Sequence, residues 1–302
     1  GWLRPLVDAL RSGSKTGAAC PKILFADQYE EIQILGEPAR VAWSDPRRVT
    51  ARVVGARIDG EDVLRRLRFA DGFLGPEFSA ARGEPPSQWA SDRGRLLLPA
   101  RPTATIRELR LEAPRPMEIV LKSDTTEQAV SVGTTPAWFP LPPSTGCFDV
   151  INNIGSEIQP DGYVRDRGYL EQDRGQYDRT EEVFAWCGAA AVLPVAYIRS
   201  VGVFDEGLFA YYEDVDLSWR GHRDHWHYVT VPDSVVRHVH MATSSASAPM
   251  ALYYNERNRL LVLARYWTRA AMVRAILRYS AITASYFRRD VAARALRGRR
   301  PS

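Results

Sequence analysis

The sequence predicts an α/β protein that is interrupted by an antiparallel β-sandwich and that ends in helices. Near its start, apolar residues recur at helical spacing and a short buried strand follows them. In the middle, short runs alternate apolar and polar residues between turn-forming residues, a pattern typical of antiparallel strands. Mixed patterns then return, before a last segment with one apolar helical face. We therefore expect segments at 1–39, 40–145, 146–248 and 249–302.

The first segment begins with a helix and continues into a strand. The run 22–25 follows Pro21 and consists of a lysine and three apolar residues. This short apolar run predicts a buried strand. The helix before it is predicted by apolar residues at helical spacing, which are Trp2, Leu3, Leu6, Val7 and Leu10.

The block 40–145 predicts an inserted β domain. Its alternating runs are separated by Pro, Gly, Asp and Ser, and they lie at 52–54, 95–98, 106–111, 117–121 and 129–132. The four prolines within 136–143 predict the linker by which the chain leaves this domain. Carbohydrate binding and a packing or spacer role are both open for the block.

The last segment, 249–302, combines an apolar helical face with a strong positive charge. From residue 256 onward the sequence has 12 arginines against Glu256 and Asp290, a net charge of +10, whereas the preceding residues carry −6. A basic tail on an acidic body favours an anionic partner, and we expect peripheral contact with the inner face of the cell membrane. A nucleic-acid partner is not expected, because no nucleic-acid-binding motif accompanies the positive charge. The apolar face comprises Leu252, Tyr253, Leu260, Leu261, Leu263, Ala264 and Trp267.

Composition excludes several classes of protein. With 302 residues, 45% hydrophobic and 25% charged, the chain is predicted to fold rather than to be disordered. Cys20, Cys147 and Cys187 form no CxxC pair, which argues against a disulfide framework or a zinc-thiolate site and favours a reducing compartment. No signal peptide and no run of 18 apolar residues is visible, so we expect a cytoplasmic protein.

The strongest chemical feature is the acidic run of Glu213, Asp214 and Asp216. Carboxylates this close repel one another, so a fold tolerates them where a cation, a proton or solvent compensates their charge. The apolar residues 209–212 before the run, and Leu217 and Trp219 after it, favour a position in a pocket wall. The alternative is a solvated first turn of an amphipathic helix.

Two weaker features lie on either side of this run. His238 and His240 are two residues apart, so on a strand both imidazoles share one face, as metal ligands often do; packing or hydrogen bonding is the alternative. Gly188 is followed by small residues, which allows a ligand or another backbone to approach closely. The sequence has no dinucleotide-binding, P-loop or nucleophile-elbow motif.

In their order, these segments resemble the family-2 glycosyltransferases of the GT-A (Rossmann-like) fold, especially bacterial rhamnosyl- and galactofuranosyl-type transferases that act on lipid-linked glycans. The likeness covers about two thirds of the chain and skips the β block. The matching residues are 1–7, 21–24, 32–36, 168–177, 182–190, 201–206, 211–220, 231–233, His238 and 256–259.

The resemblance implies an inverting transferase that moves a sugar from a nucleotide-sugar donor to a hydroxyl of a glycan or lipid-linked acceptor, in cell-envelope polysaccharide synthesis. It assigns the general base to Asp214, with Glu213 and Asp216 orienting acceptor hydroxyls or tuning the base. It also implies a divalent metal, Mg²⁺ or Mn²⁺, with His238 as a ligand and His240 as the alternative ligand. The substrate-binding residues that it implies are Trp186, Gly188, Ala189, Tyr212, Trp219, Arg257 and Arg259; for the two arginines, helix-surface charges are the alternative.

The chain departs from this family in two respects. The family's DxD motif, which binds the metal and the nucleotide diphosphate, is expected upstream of residue 1, and Asp27 does not replace it. The β block is the second departure. The sequence also does not begin with methionine. Together these features predict that the chain is a fragment of a longer natural protein and that the fragment is inactive alone. Two other functions are open: a non-catalytic carbohydrate-binding module at 40–145, and a metal-dependent hydrolase that uses the histidine pair and the acidic run.

Overall fold

The computed structural model describes residues 1–42, 45–77, 87–101, 103–104, 106–240 and 248–287. Its helices are α1 (Leu3–Ser12), α2 (Val195–Val201), α3 (Glu213–Arg223), α4 (Ala248–Tyr266) and α5 (Arg269–Phe287), and a 3₁₀ turn spans Leu64–Arg66. The first strands are β1 (Thr16–Leu35), β2 (Ala39–Ala42), β3 (Asp45–Val49), β4 (Arg52–Ile58), β5 (Glu61–Asp62), β6 (Arg68–Phe69), β7 (Gln88–Trp89), β8 (Arg93–Pro99) and β9 (Arg107–Glu112). The remaining strands are β10 (Met117–Lys122), β11 (Glu127–Val132), β12 (Ala137–Pro140), β13 (Phe148–Asn153), β14 (Ser156–Ile158), β15 (Val164–Asp166), β16 (Glu182–Val183) and β17 (His227–His238).

The predicted α/β, Rossmann-like GT-A fold is wrong. Strands make up 39% and helices 25% of the structure, and the sheets are curled and mostly antiparallel. A Rossmann-like fold needs parallel strands that are joined by helices long enough to cross the sheet. Between β13 and β17 the chain has short strands and the helices α2 and α3, which are 7 and 11 residues long. The mixed patterns in this part of the sequence therefore arise from short elements rather than from βαβ units.

The chain forms two compact units, of which the first comprises residues 1–26 and 149–287. In this unit β1 runs parallel to β17, and β17 pairs in antiparallel fashion with the short strand β16. Tyr197 of α2, Leu217 of α3 and Tyr228 of β17 are buried together and form the core beside these strands. This packing fixes the position of α3, whose first turn contains the acidic run.

The second unit comprises residues 27–148 and is built from antiparallel pairs. One sheet contains β11, β10, the end of β1, β8 and β6, and the other contains β12, β9, β4, β5 and β7. Ile32 and Leu121 of the first sheet and Val53 of the second lie in one buried cluster, so the two sheets enclose a common core. The predicted insert, 40–145, falls within this unit.

Helices α4 and α5 contain the first part of the predicted basic segment. Arg269, Arg274 and Arg278 lie on α5, whose sequence has no acidic residue. The arginines after residue 287 lie outside the described residues. None of the helices that the structure describes has the length and apolar character needed to cross a bilayer.

Candidate active site

The carboxylate of Asp214 lies at the N-terminus of α3, where two backbone amides hold it. The N–H of Gly188 donates to Oδ2 at 2.9 Å, and the N–H of Val215 donates to Oδ1 at 2.8 Å. A carboxylate oxygen can accept more than one hydrogen bond, so each of these oxygens can also accept a hydrogen bond from a hydroxyl group of a ligand. Two of the residues predicted from sequence, Gly188 and Asp214, are thus brought into direct contact.

The surroundings of Asp214 shift its proton affinity into the neutral range. Burial, with a smaller contribution from the charge of Glu213, raises the pKa of Asp214 from 3.8 to about 7, against the opposite effect of the Gly188 and Val215 amides. The residue as a whole is nevertheless partly exposed to solvent. A carboxylate with a pKa near the working pH is well suited to take up a proton from a hydroxyl.

Glu213 lies beside Asp214 and faces the same glycine. A Cβ atom on Gly188 would lie 3.4 Å from Asp214 Oδ2 and 3.7 Å from Glu213 Oε1. Glu213 Oε2 is buried and has no hydrogen-bond partner among the described residues, and burial raises the pKa of this carboxyl group. The absence of a side chain at Gly188 therefore leaves both acids open on one side.

The backbone before the acid pair is strained. Phe209, Tyr211 and Tyr212 have φ angles of 62°, 67° and 66°, in the left-handed region that favours glycine. Large side chains in this region cost about 1–2 kcal/mol each, so the surrounding structure has to impose the conformation. Residues 207–212 are called the left-handed loop below.

Asn258 on α4 imposes the shape of the left-handed loop. Its side chain is fully buried, and Nδ2 donates to the carbonyl oxygens of Leu208, Ala210 and Tyr211, each at 2.8 Å. Its neighbour Arg257 donates from both terminal nitrogens to the carbonyl oxygen of Gly207 at 3.0 Å. The sequence analysis missed Asn258, because only the fold reveals that three carbonyl groups converge on it.

Asp216 points away from the acid pair and into the contact with α4. Its buried carboxylate accepts from Arg220 Nε at 3.0 Å, from Arg265 at 2.8 Å and from the hydroxyl of Tyr266 at 2.8 Å. The two guanidinium groups compensate its charge. The structure thus places Asp216 in the packing of α3 against α4.

A further acid, Asp166 at the end of β15, belongs to this region and was missed in the sequence analysis. Its Oδ1 accepts from Asn153 Nδ2 at 2.6 Å and from Ser156 Oγ at 3.5 Å. Ser156 pairs with Ala185, three residues before Gly188. Burial raises the pKa of Asp166, and its charge contributes to the raised pKa of Asp214. A lone aspartate on a short strand gives no spacing signal in the sequence.

Trp186 and Gly188 line a cavity of about 280 Å³ next to the acid pair, and Ala189 is exposed on the same segment. The other side chains that line this cavity are apolar and include Leu193, Phe204 and Leu217. Trp186 is buried, and its ring lies 5.9 Å from that of Phe204.

The remaining residues that were predicted to bind substrate are engaged within the protein. Tyr212 is buried, and its hydroxyl accepts from the N–H of Val164 at 3.3 Å. Trp219 stacks on Tyr266 with ring centroids 5.3 Å apart. Arg259 is only 3% exposed and forms an ion pair with Glu256 at 2.8 Å. We do not include these three residues in the proposed site, because Tyr212 and Arg259 already bind groups within the protein and Trp219 is packed against Tyr266.

His238 and His240, predicted as metal ligands, lie next to each other at the end of β17. Their ring centroids are 5.8 Å apart, and His238 Nδ1 forms a hydrogen bond with Asn152 Oδ1 at 2.9 Å. Within the described part of the chain, no group of three His, Cys, Asp or Glu side chains is placed to hold a metal ion. The metal and its ligands stay predictions.

Comparison with known proteins yields no relative. No family model, curated protein or solved structure is detectably similar to this chain. The resemblance to family-2 glycosyltransferases therefore rests on the sequence motifs, and the function is argued from the geometry of the site.

Proposed function

We propose that this chain carries the acceptor side of an inverting glycosyltransferase in which Asp214 is the general base. The observation that carries the proposal is the environment of Asp214. The residue is partly exposed, its carboxylate is oriented by two backbone amides, and its pKa is raised to about 7. These are the properties that removal of a proton from a sugar hydroxyl requires at neutral pH.

In the proposed reaction the acceptor hydroxyl oxygen attacks the anomeric carbon of a nucleotide sugar. The bond from that carbon to the phosphate oxygen breaks, and its electron pair leaves with the nucleoside diphosphate. The hydroxyl proton passes to Asp214. A single displacement inverts the anomeric configuration, so one well-placed base suffices on the acceptor side.

The neighbouring residues have supporting roles in this proposal. Gly188 holds Asp214 through its N–H and leaves space for the acceptor above the acid pair. The negative charge of Glu213 keeps the proton affinity of Asp214 high. Asn258 and Arg257 hold the left-handed loop from which α3 starts. Asp216 stabilises the contact between α3 and α4.

Substitution of Asp214 tests the proposal. With a panel of nucleotide sugars and glycan acceptors, we expect Asp214→Asn to lower transfer by at least about 100-fold while the far-ultraviolet circular dichroism stays unchanged. Asp205→Asn, at a half-buried aspartate of the preceding loop, is the matched control and should retain transfer. Transfer by Asp214→Asn within about tenfold of the wild type would remove Asp214 as the base.

The donor, the metal and the membrane belong to the same proposal. A divalent metal would neutralise the leaving diphosphate. Peripheral attachment to an anionic bilayer is proposed for the basic segment that includes Arg269, Arg274 and Arg278. Equal binding of the protein with and without this segment to anionic vesicles would refute that attachment.

A further inference from the structure

The carboxylate of Asp166 binds two buried polar side chains of the turn 153–156. Its Oδ1 accepts from Asn153 Nδ2 at 2.6 Å and from Ser156 Oγ at 3.5 Å. Asn153 is 1% exposed and Ser156 is 5% exposed. Buried polar groups are costly unless they are hydrogen-bonded, so both side chains depend on an acceptor at this position. The contacts tie the turn to β15, the strand that ends at Asp166.

The same side chains determine the shape of the turn 153–156. Asn153 Oδ1 accepts from the N–H of Gly155 at 2.7 Å, and Asn153 Nδ2 also reaches Ser156 Oγ at 3.3 Å. Gly155 has a φ of 85°, in the left-handed region that favours glycine. Without the Asp166 carboxylate, Asn153 Nδ2 would keep only the longer bond to Ser156. The turn would then lose its shortest side-chain link to β15.

The turn 153–156 supports the segment of chain that follows β16. Ser156 and Ala185 exchange two backbone hydrogen bonds, of 2.8 and 3.1 Å. A Cβ atom on Gly155 would lie 2.5 Å from Val183 Cγ1, so the backbone of the turn packs directly against β16. The position of Ala185 therefore depends on the turn.

Gly188 follows Ala185 by three residues and holds the carboxylate of Asp214. The intervening Trp186 is 2% exposed, so the segment stays anchored between the two positions. The N–H of Gly188 donates to Asp214 Oδ2 at 2.9 Å. Hydrogen bonds weaken steeply when their geometry is disturbed, so a shift of the segment weakens this one. An unbroken set of contacts thus leads from Asp166 to Asp214.

Asp166 also acts on Asp214 through its charge. After burial, the ionisable groups that raise the pKa of Asp214 are Glu213 of α3 and Asp166 of β15. Burial raises the pKa of the Cys187 thiol, and the charges of Asp166 and Asp214 raise it further. Like charges disfavour each other's ionised forms, so this proximity is unfavourable by itself. The fold nevertheless keeps Asp166 close to the proposed base.

From these contacts we infer that Asp166 is a positioning residue for the general base. Acting through the turn 153–156, it holds in place the Gly188 amide that orients Asp214. The inference rests on the proposed function, in which Asp214 is that base. The role requires a side-chain oxygen that accepts from Asn153, and it does not require a negative charge. Asp166→Asn keeps such an oxygen, whereas Asp166→Ala does not.

The backbone amide of Gly188 reports on this role in the full chain. Gly188 is exposed, so its bond to Asp214 is what protects the amide from hydrogen exchange. By NMR at pH 8, we expect Asp166→Ala to speed this exchange at least about fivefold and Asp166→Asn to stay within about twofold of the wild type. Ser156→Ala should also speed the exchange, and it keeps the test possible if Asp166→Ala does not fold. Asp161→Ala, in the loop between β14 and β15, is the matched control and should exchange as the wild type does.

Glycosyl transfer provides the second measurement. Asp166→Ala should lower kcat at least about tenfold with KM within about twofold of the wild type, and Asp166→Asn should recover most of this loss. In Asp166→Asn the rise of kcat/KM with pH should also move to lower pH, because a negative charge no longer raises the pKa of Asp214. A substitution that only destabilises the fold would not move this profile.

Wild-type exchange of the Gly188 amide in both Asp166→Ala and Ser156→Ala would overturn the inference. Equal acceleration in Asp166→Asn and Asp166→Ala would also overturn it, as would faster exchange with an unchanged kcat. The exchange measurement needs no substrate, so its failure leaves the proposed function standing. Exchange that responds as expected, together with full transfer by Asp214→Asn, would instead refute the proposed function.

Discussion

The side-chain amide of Asn258 donates to the carbonyl oxygen of Tyr211 at 2.8 Å, two residues before Glu213. The same nitrogen reaches the carbonyl oxygens of Leu208 and Ala210, so one buried side chain of α4 fixes the backbone that leads into the acid pair. Positive φ angles at Tyr211 and Tyr212 are thereby maintained. The orientation of Asp214 depends on this contact because α3 begins at the end of the left-handed loop.

Replacement of Asn258 should therefore destabilise the fold strongly. Asn258→Leu keeps the size of the side chain but leaves the carbonyl groups of Ala210 and Tyr211 without this donor, while Leu208 still accepts from the N–H of Ala210. We expect a loss of ~3 kcal/mol in the free energy of unfolding. Asn255→Leu, on the same helix, removes a single bond to Ala251 and should cost less than ~1 kcal/mol. Urea denaturation of both variants measures the difference. Equal losses would show that Asn258 does not hold the loop.

The strain at Phe209 predicts an inverted preference between glycine and alanine. Phe209 is 72% exposed and has a φ of 62°, so Phe209→Gly should be more stable than Phe209→Ala by ~1 kcal/mol. At Arg199, an exposed position within α2, glycine should instead be less stable than alanine by ~0.5–1 kcal/mol. Thermal denaturation of the four variants tests the expectation. The same order at both positions would contradict the strain at Phe209.

Asp216 and Asp205 should differ in their contribution to stability although both bind Arg265. Asp216 is 1% exposed and has three partners, so Asp216→Ala leaves the partly buried Arg220 and the Tyr266 hydroxyl without their carboxylate acceptor and should cost ~2 kcal/mol. Asp205 is a third exposed and pairs with Arg265 at 2.6 Å, so Asp205→Ala should cost less than ~1 kcal/mol. Chemical denaturation at pH 7 measures both. A small loss for Asp216→Ala would contradict its place in the packing.

The pKa of Asp214 also predicts how stability depends on pH. Between its ordinary value of 3.8 and about 7, the folded chain holds a proton on Asp214 that the unfolded chain has released. This group therefore lowers the free energy of unfolding as the pH rises through that range. Asp214→Asn removes the effect, so the variant should exceed the wild type by ~4 kcal/mol at pH 8 and by nothing near pH 4. Urea denaturation at several pH values tests this, and a pH-independent difference would argue against the shift.

Local sequence patterns predicted many elements of secondary structure correctly. The runs 52–54, 95–98 and 117–121 lie in strands β4, β8 and β10, as predicted. The apolar spacing after Trp2 and the acidic start at Glu213 correspond to helices α1 and α3. Such patterns succeed because the burial of one face of a strand or helix is a local property of the sequence.

The arrangement of these elements could not be predicted in the same way. The run 22–25 is part of a strand of 20 residues, β1, which pairs with β17 at its start and with β8 at its end. Pairing with strands that are distant in sequence sets the length of β1, so no local sequence pattern predicts that length. The same holds for Asn258 and Asp166, which reach the site only through contacts with Tyr211 and Asn153 that are distant in sequence.

The most direct test of the general-base role of Asp214 is the pH dependence of glycosyl transfer. A base must be deprotonated to act, so kcat/KM should rise with pH and level off above an apparent pKa of about 7. The rise should be absent from the residual activity of Asp214→Asn and present in Asp205→Asn. A wild-type profile that is flat between pH 5 and 9, or a rise near pH 7 that persists in Asp214→Asn, would contradict the assignment.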